Sequence, residues 1–176
     1  MRPGRAAAVA AMLAAASCST QPPRRAAPPA PPVLTPAPWA VMSARAYVTS
    51  AASFDLFVIR AAELAATGAR DPRVQALARA ELSDHRGLAA QLSFAGRRLD
   101  LLPSAAMLNS DLQRLALLAA STDFDAAYKR EMVDRHMHHL RISRDIAARS
   151  PSPTLRPVAR NAADVFARHL AQLRAL

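Results

Sequence analysis

Cysteine is almost absent from this chain of 176 residues: Cys18 is the sole example. A single thiol excludes a disulfide framework, and the body of the protein has no thiol chemistry. Glycine is scarce, with four residues, and no stretch alternates apolar and polar side chains in the strand pattern. Aromatics make up 5% of the chain and Lys129 is the one lysine, so the formal charge of +10 is almost wholly arginine. The arginines are scattered along the sequence rather than gathered, and few rings are available to stack on bases, which argues against nucleic acid. No nucleophile elbow, Walker loop or HExxH stretch occurs, so no catalytic residue is assigned and the protein reads as non-enzymatic.

What is present begins with an export signal over residues 1–18. Arg2 and Arg5 precede an apolar run from Ala6 to Ala16 that is shorter than the about 20 residues needed to span a bilayer. The segment ending at Ser17-Cys18 resembles a bacterial lipobox, in which Cys18 is lipidated and becomes the N-terminus. Ser19 in the next position resembles lipoproteins passed to the outer membrane. The expected address is the periplasmic face of the outer membrane, with membrane contact through the N-terminal lipid. Cleavage after Ala16, giving a soluble periplasmic or secreted protein, is the alternative. Residues 19–38 hold most of the 14 prolines and little apolar bulk. Such a segment favours extended polyproline II and reads as a tether reaching roughly 60 Å. The basic charge favours a weak attraction to acidic headgroups of the envelope. No protein partner is legible.

Residues 39–176 suit one domain. Apolar residues recur at three and four, which predicts an all-α fold. A first long helix is expected over 46–67, ending at Gly68 as a C′ residue. Asp71-Pro72 starts a second, to about Leu99, with a capping carboxylate ahead of proline. Pro103 and Ser104 open a shorter helix through Leu118, with Leu108, Leu112, Leu115 and Leu118 on one side. Thr122 or Asp123 caps the third long helix, to about Arg149. Ser150-Pro151-Ser152-Pro153 breaks the chain before the fourth, which has Pro157 in its first turns. The long connection over 100–122 lets the second and third long helices run parallel. The expected architecture is a ferritin-like four-helix bundle with a short extra helix on the crossover.

Three stretches then carry a resemblance: Phe54-Asp55-Leu56-Phe57 with its following helix, Val74 to His85, and Phe124-Asp125-Ala126-Ala127-Tyr128 running to Met132-Val133-Asp134-Arg135-His136. With His169-Leu170-Ala171-Gln172-Leu173 they resemble the domain-of-unknown-function family DUF4142, over about residues 44–173. The resemblance implies a ferritin-like bundle typical of exported bacterial proteins, with no settled activity. The chain departs from that pattern at Val58 and Arg60, where relatives commonly carry glutamates. It departs again at Glu81-Leu82, where a methionine-valine pair is usual.

The helical seams contain polar intruders. Val74, Ala78, Glu81, His85, Leu88, Leu92, Ala95 and Leu99 form one seam with Glu81 and His85 in it. Asp55 interrupts Ala51, Val58, Ala62 and Ala65; His136 lies with Met132, Val133, Leu140 and Ala147; His169 follows Leu155, Val158, Ala162 and Val165. Folding the hairpins at their turns sets Asp55, His85, His136 and His169 near one plane. Two readings follow. Asp55, Glu81, His85, His136 and His169 form a self-satisfied structural core layer with no cofactor, in a protein with an interaction or stress-protection role. Alternatively the same residues hold a single transition metal ion. A di-iron centre is disfavoured, because it needs four carboxylates and two Glu-x-x-His pairs. His138 and His139 are expected on a solvated face, and Phe124 and Tyr128 in the core.

Overall fold

Capping side chains start three of the helices, two of them where the sequence puts the cap. In the computed structural model, which describes residues 42–176, Ser43 accepts a hydrogen bond from the Ala46 amide and begins α1 (Ala44–Gly68). Asp71 accepts from the Arg73 amide at 2.8 Å ahead of Pro72 and begins α2 (Pro72–Arg97). Asp123, the second of the two expected caps, accepts from Ala126 and begins α4 (Phe124–Arg149). The remaining helices are α3 (Asn109–Ala119) and α5 (Leu155–Ala175). Pro157 sits in the first turn of α5, where its missing N–H would have had no intrahelical partner. The described residues are thus all helical, with no strand.

Helices α1 and α2 pack as one antiparallel hairpin and α4 and α5 as another; α2 also packs on α5, and α1 on α4. Within this frame α2 and α4 run the same way, since Glu81 meets Tyr128 and, one turn further along α2, His85 meets His136. Asp125 fixes that arrangement at one end. Its carboxylate accepts from the Arg70 and Asp71 amides at 3.0 and 2.7 Å, tying the α1–α2 turn to the first turn of α4. The core is built of Phe54, Phe57, Tyr128, Met132 and Phe166 around small residues such as Ala61, Ala62, Ala65 and Ala78. The small residues let helix axes approach closely, and the rings fill the space between them. Among the described residues no helix is long and apolar enough to cross a membrane.

The connections depart from expectation. Gly68 is still helical, and α1 ends at Ala69 in an extended conformation (φ −68°, ψ 146°), so no left-handed glycine is needed there. The left-handed position is Asp100, with φ 53°. Gly96 is the glycine the fold demands: the chain turns back over it, Leu101 donates to its carbonyl, and a Cβ would lie 2.5 Å from the Leu101 oxygen. The crossover helix begins at Asn109, not near Ser104. Leu108 is held extended, its amide donating to Ser53 Oγ at 2.8 Å, and this delays the helix. Of the four leucines expected on one side, Leu118 is buried and Leu115 packs on the core. Leu108 and Leu112 are exposed, because the face that α3 turns toward α1 and α4 carries Asp111, Leu115 and Leu118 instead.

Candidate metal centre

Three histidines from three helices meet in the interior. His85 Nε2 lies 3.3 Å from His136 Nε2, and His136 Nε2 lies 3.2 Å from His169 Nδ1. All three atoms fall within 4.8 Å of one another, and the three residues are buried. Phe54 presses edge-on against His85 and His136, with centroids 5.3 Å away in each case, and Phe166 stacks on His85. Two nitrogen donors bound to one ion at about 2.0–2.1 Å, with bond angles between tetrahedral and trigonal, stand roughly 3.3–3.6 Å apart. The two spacings to His136 Nε2 are close to that, and the His85–His169 pair lies within 4.8 Å.

Each imidazole is oriented from behind by an acceptor. His136 Nδ1 contacts the Met132 carbonyl at 2.8 Å. A carbonyl can only accept, so Nδ1 carries the proton and the neutral ring presents a bare Nε2 to the centre. His169 Nε2 contacts Asp84 at 3.0 Å, and that carboxylate also pairs with Arg168 at 3.3 Å. His169 Nδ1 is therefore bare as well. His85 Nδ1 contacts Asp55 Oδ1 at 2.8 Å. Burial raises the Asp55 carboxyl well above the usual carboxylate range and lowers His85 and His136 well below the usual histidine range. Burial lowers His169 too, with Asp84 opposing it. The ring cluster is consequently neutral. Even if Asp55 is protonated and donates to His85 Nδ1, so that the neutral ring carries its hydrogen on Nε2 and donates to His136, His169 Nδ1 still faces His136 Nε2 lone pair to lone pair. Outer acceptors with inward lone pairs are the arrangement by which a protein orients histidine ligands.

Glu81 stands beside His136, on the side of its inward nitrogen. Tyr128 Oη donates to Glu81 Oε2 in a short hydrogen bond. Oε1 lies 3.9 Å from His136 Nε2 and makes no hydrogen bond among the described residues. Burial pushes the Glu81 carboxyl up to about 8, against the lowering effect of the Tyr128 bond. An orphaned buried oxygen beside the bare nitrogens of His136 and His169 is a donor set that fits a cation.

All five residues expected in the layer are buried, and the structure divides their places. His85, His136 and His169 form the centre, Asp55 backs His85, and Glu81 faces Tyr128 rather than His85. Sequence reasoning missed Asp84, which lies off the α2 seam and is reached only because His169 points outward toward it. It read Tyr128 as packing alone. His139 is a correction: only His138 is solvent-exposed, whereas His139 is 3% exposed and stacks on Phe54 with centroids 3.9 Å apart. Burial and the nearby Arg135 drive His139 down to about 2. The inward face of α4 is wider than one seam because both α1 and α3 cover it; the signal was the run His136, His139, Ser143 at steps of three and four. A second buried polar group was also missed. Asp111 of α3 receives Ser53 Oγ–H and pairs with Arg135 at 2.6 Å, while the Arg135 guanidinium lies 5.5 and 5.7 Å from the Phe54 and Phe57 rings.

Fold and site together define a helical protein with a tri-histidine centre enclosed in its interior. The chain belongs to the family described as Domain of unknown function (DUF4142), whose model matches residues 29–176. Two solved structures are similar in fold. "CopM in the Cu(I)-bound form" has a TM-score of 0.65 and 17% identity, covering 76% of this chain and 94% of that one. "CopM in the Cu(II)-bound form" has a TM-score of 0.65 and 15% identity, covering 74% and 93%. No curated protein matches the chain. The expected export signal, Cys18 and the tether lie outside the described residues.

Proposed function

We propose that this protein is a non-catalytic metal-binding protein of the cell envelope that holds one copper ion among His85, His136 and His169. The observation that carries the reading is the set of three ring nitrogens within 4.8 Å, with bare lone pairs on His136 and His169 turned inward. Neutral imidazoles with no thiolate suit copper or zinc, and copper(II) binds such sites most strongly among the divalent ions. Copper-bound forms of CopM, which shares the fold, support copper over zinc. Bound copper would be a redox-capable cation kept from solvent. The residues' part is to orient the rings through Asp55, Asp84 and the Met132 carbonyl, and to exclude water with Phe54 and Phe166. A surface hollow of about 720 Å³ lies between α3 and α4 and is lined by none of the three histidines. Burial of all three histidines supports sequestration, a stress-protective role.

The fold reading that goes with this is a ferritin-like four-helix bundle of α1, α2, α4 and α5 with α3 on the crossover, supported by the parallel course of α2 and α4. Lipid anchoring at Cys18 would hold it at the outer membrane. Arg141, Arg144, Arg160 and Arg174 line neighbouring hollows along the α4–α5 seam and support an attraction to acidic surfaces. Mass spectrometry of the extracted N-terminus tests the anchor; an unmodified start at Ser17 refutes it.

Elemental analysis after loading with copper tests the site: one ion per chain is expected for the wild type and none for His136→Ala. A second reading is favoured by the ring-to-ring distances themselves, which also suit hydrogen bonds. The layer would then serve only to fix helix register, and the wild type would bind no copper.

A further inference from the structure

Two of the three histidines are sealed. His85 and His136 are fully buried, and so are their rear partners, Asp55 and the residue supplying the carbonyl, Met132. His169 differs. Its own ring is buried, but Asp84 behind it has a side chain 38% exposed, and the Arg168 that covers Asp84 is 59% exposed. Through this one pair the buried centre is linked to solvent, at the seam between α2 and α5. A cation approaching the molecule here meets a carboxylate first, and the guanidinium of Arg168 occupies that carboxylate.

We propose that Asp84 and Arg168 form the gate through which the ion enters and leaves, with His169 as the moving ligand. The inference rests on the copper reading above. In the closed state Asp84 accepts from His169 Nε2–H and keeps Nδ1 turned inward, while Arg168 neutralises Asp84 toward solvent. Opening requires two events: Arg168 leaves Asp84, which a surface ion pair of this kind permits at small cost, and His169 breaks its bond to Asp84 and swings toward the seam. The freed carboxylate then attracts the cation, and the returning ring delivers it to His85 and His136. Those two stay fixed because Phe54, Phe166 and their own rear acceptors pack them on every side. Asp84 is thus a positioning residue for His169 and a docking group for the ion; Arg168, paired with Asp84 on its solvent side, acts as the cover.

That last point makes the gate separable from a merely supportive outer contact. A residue that only strengthens the bound state changes release and leaves loading alone. A cover changes both. The test uses the purified full chain with Cu(II) as probe, measuring loading by rapid mixing and release into excess EDTA. Arg168→Ala is expected to speed loading and release together, on the order of fivefold each, with equilibrium affinity nearly unchanged. Asp84→Ala is expected to speed release more, roughly 10–100-fold, as loss of an outer-shell partner does. Asp84→Asn keeps an acceptor for His169 without the charge, so its release should lie between wild type and Asp84→Ala while its loading falls. Asp164→Asn, exposed elsewhere on α5, serves as the control and should match the wild type. If Arg168→Ala leaves both rates unchanged, or moves only one of them, the gate is wrong although the copper site stands. If the wild type binds no Cu(II), the copper reading falls and the gate with it.

Discussion

Two buried polar groups draw on neighbouring residues of α1 and α4 in this domain, and they are built on different principles. The Ser53–Asp111–Arg135 group is charged and internally paired: the Ser53 hydroxyl and one guanidinium nitrogen of Arg135 donate to the Asp111 carboxylate, and the guanidinium rests over Phe54 and Phe57, with Arg135 Nε left without a hydrogen bond among the described residues. The His85–His136–His169 group is neutral and braced from outside, with acceptors behind the rings and bare nitrogens within. Phe54 belongs to both, taking Arg135 and His139 on one side and the edges of His85 and His136 on the other. The comparison teaches what each group is for. A group in which opposite charges meet anchors α3 to α1 and α4; a group that turns bare neutral nitrogens toward one another suits a cation at its centre.

Breaking the charged group should have the largest effect on stability. Asp111→Ala strands Arg135 in a setting where its side chain is 12% exposed, and removing one partner of a buried pair costs about 3–5 kcal/mol. Urea unfolding should show this loss, with a large part recovered when Asp111→Leu is combined with Arg135→Met. If the single change proves neutral, α3 is not held by this pair.

The neutral group should respond more gently. His85→Leu keeps the bulk but leaves Asp55 buried without its partner, for a loss of about 1–3 kcal/mol. Adding Asp55→Leu should restore part of it, because both polar groups then disappear together. Glu81→Leu should not rescue His85→Leu, since Glu81 is partnered by Tyr128. Rescue by Glu81 instead of Asp55 would contradict the assigned hydrogen bonds.

A smaller effect separates the two groups by pH. His139 stacks between them, facing Phe54, with Arg135 and His138 near, and its native pKa is lowered from 6.5 to about 2. The unfolded chain therefore takes up this proton first as pH falls. The neutral ring's contribution is complete above pH 6.5 and is lost progressively as pH drops from there toward 2. His139→Phe keeps the stack and removes the titration, so its stability should fall less steeply with acid than that of the wild type. Parallel acid limbs in thermal melts at pH 7, 6, 5 and 4 would show that His139 is not held neutral.

These particulars also show what could be read from the chain before its structure. Seam positions in a helix give the direction of each Cβ, so Asp55, Glu81, His85, His136 and His169 were legible as interior. The turns at Gly68–Pro72 and Ser150–Thr154 set their level. What periodicity cannot give is where the end of a long side chain goes. Asp84 and Arg135 lie off the seams and reach partners several ångströms from their own backbones. Asp111 was invisible because its helix was expected to begin earlier, before Ser53 was known to hold Leu108 extended. His139 was misplaced because a helix covered by two neighbours has a broader interior than one seam. The same limit left the pairing open: the layer was evident, but not that Asp55, rather than Glu81, backs His85.

The central claim is that the tri-histidine centre binds copper, and the most direct measurement is the melting temperature of the full chain with and without copper. A ligand held only by the native state at about 1,000 times its dissociation constant stabilises by roughly 4 kcal/mol. The wild type should show a clear rise that a chelator reverses, with saturation at one ion per chain, and His136→Ala should show none. A wild-type melt indifferent to copper, or a rise that His136→Ala retains in full, would contradict the account.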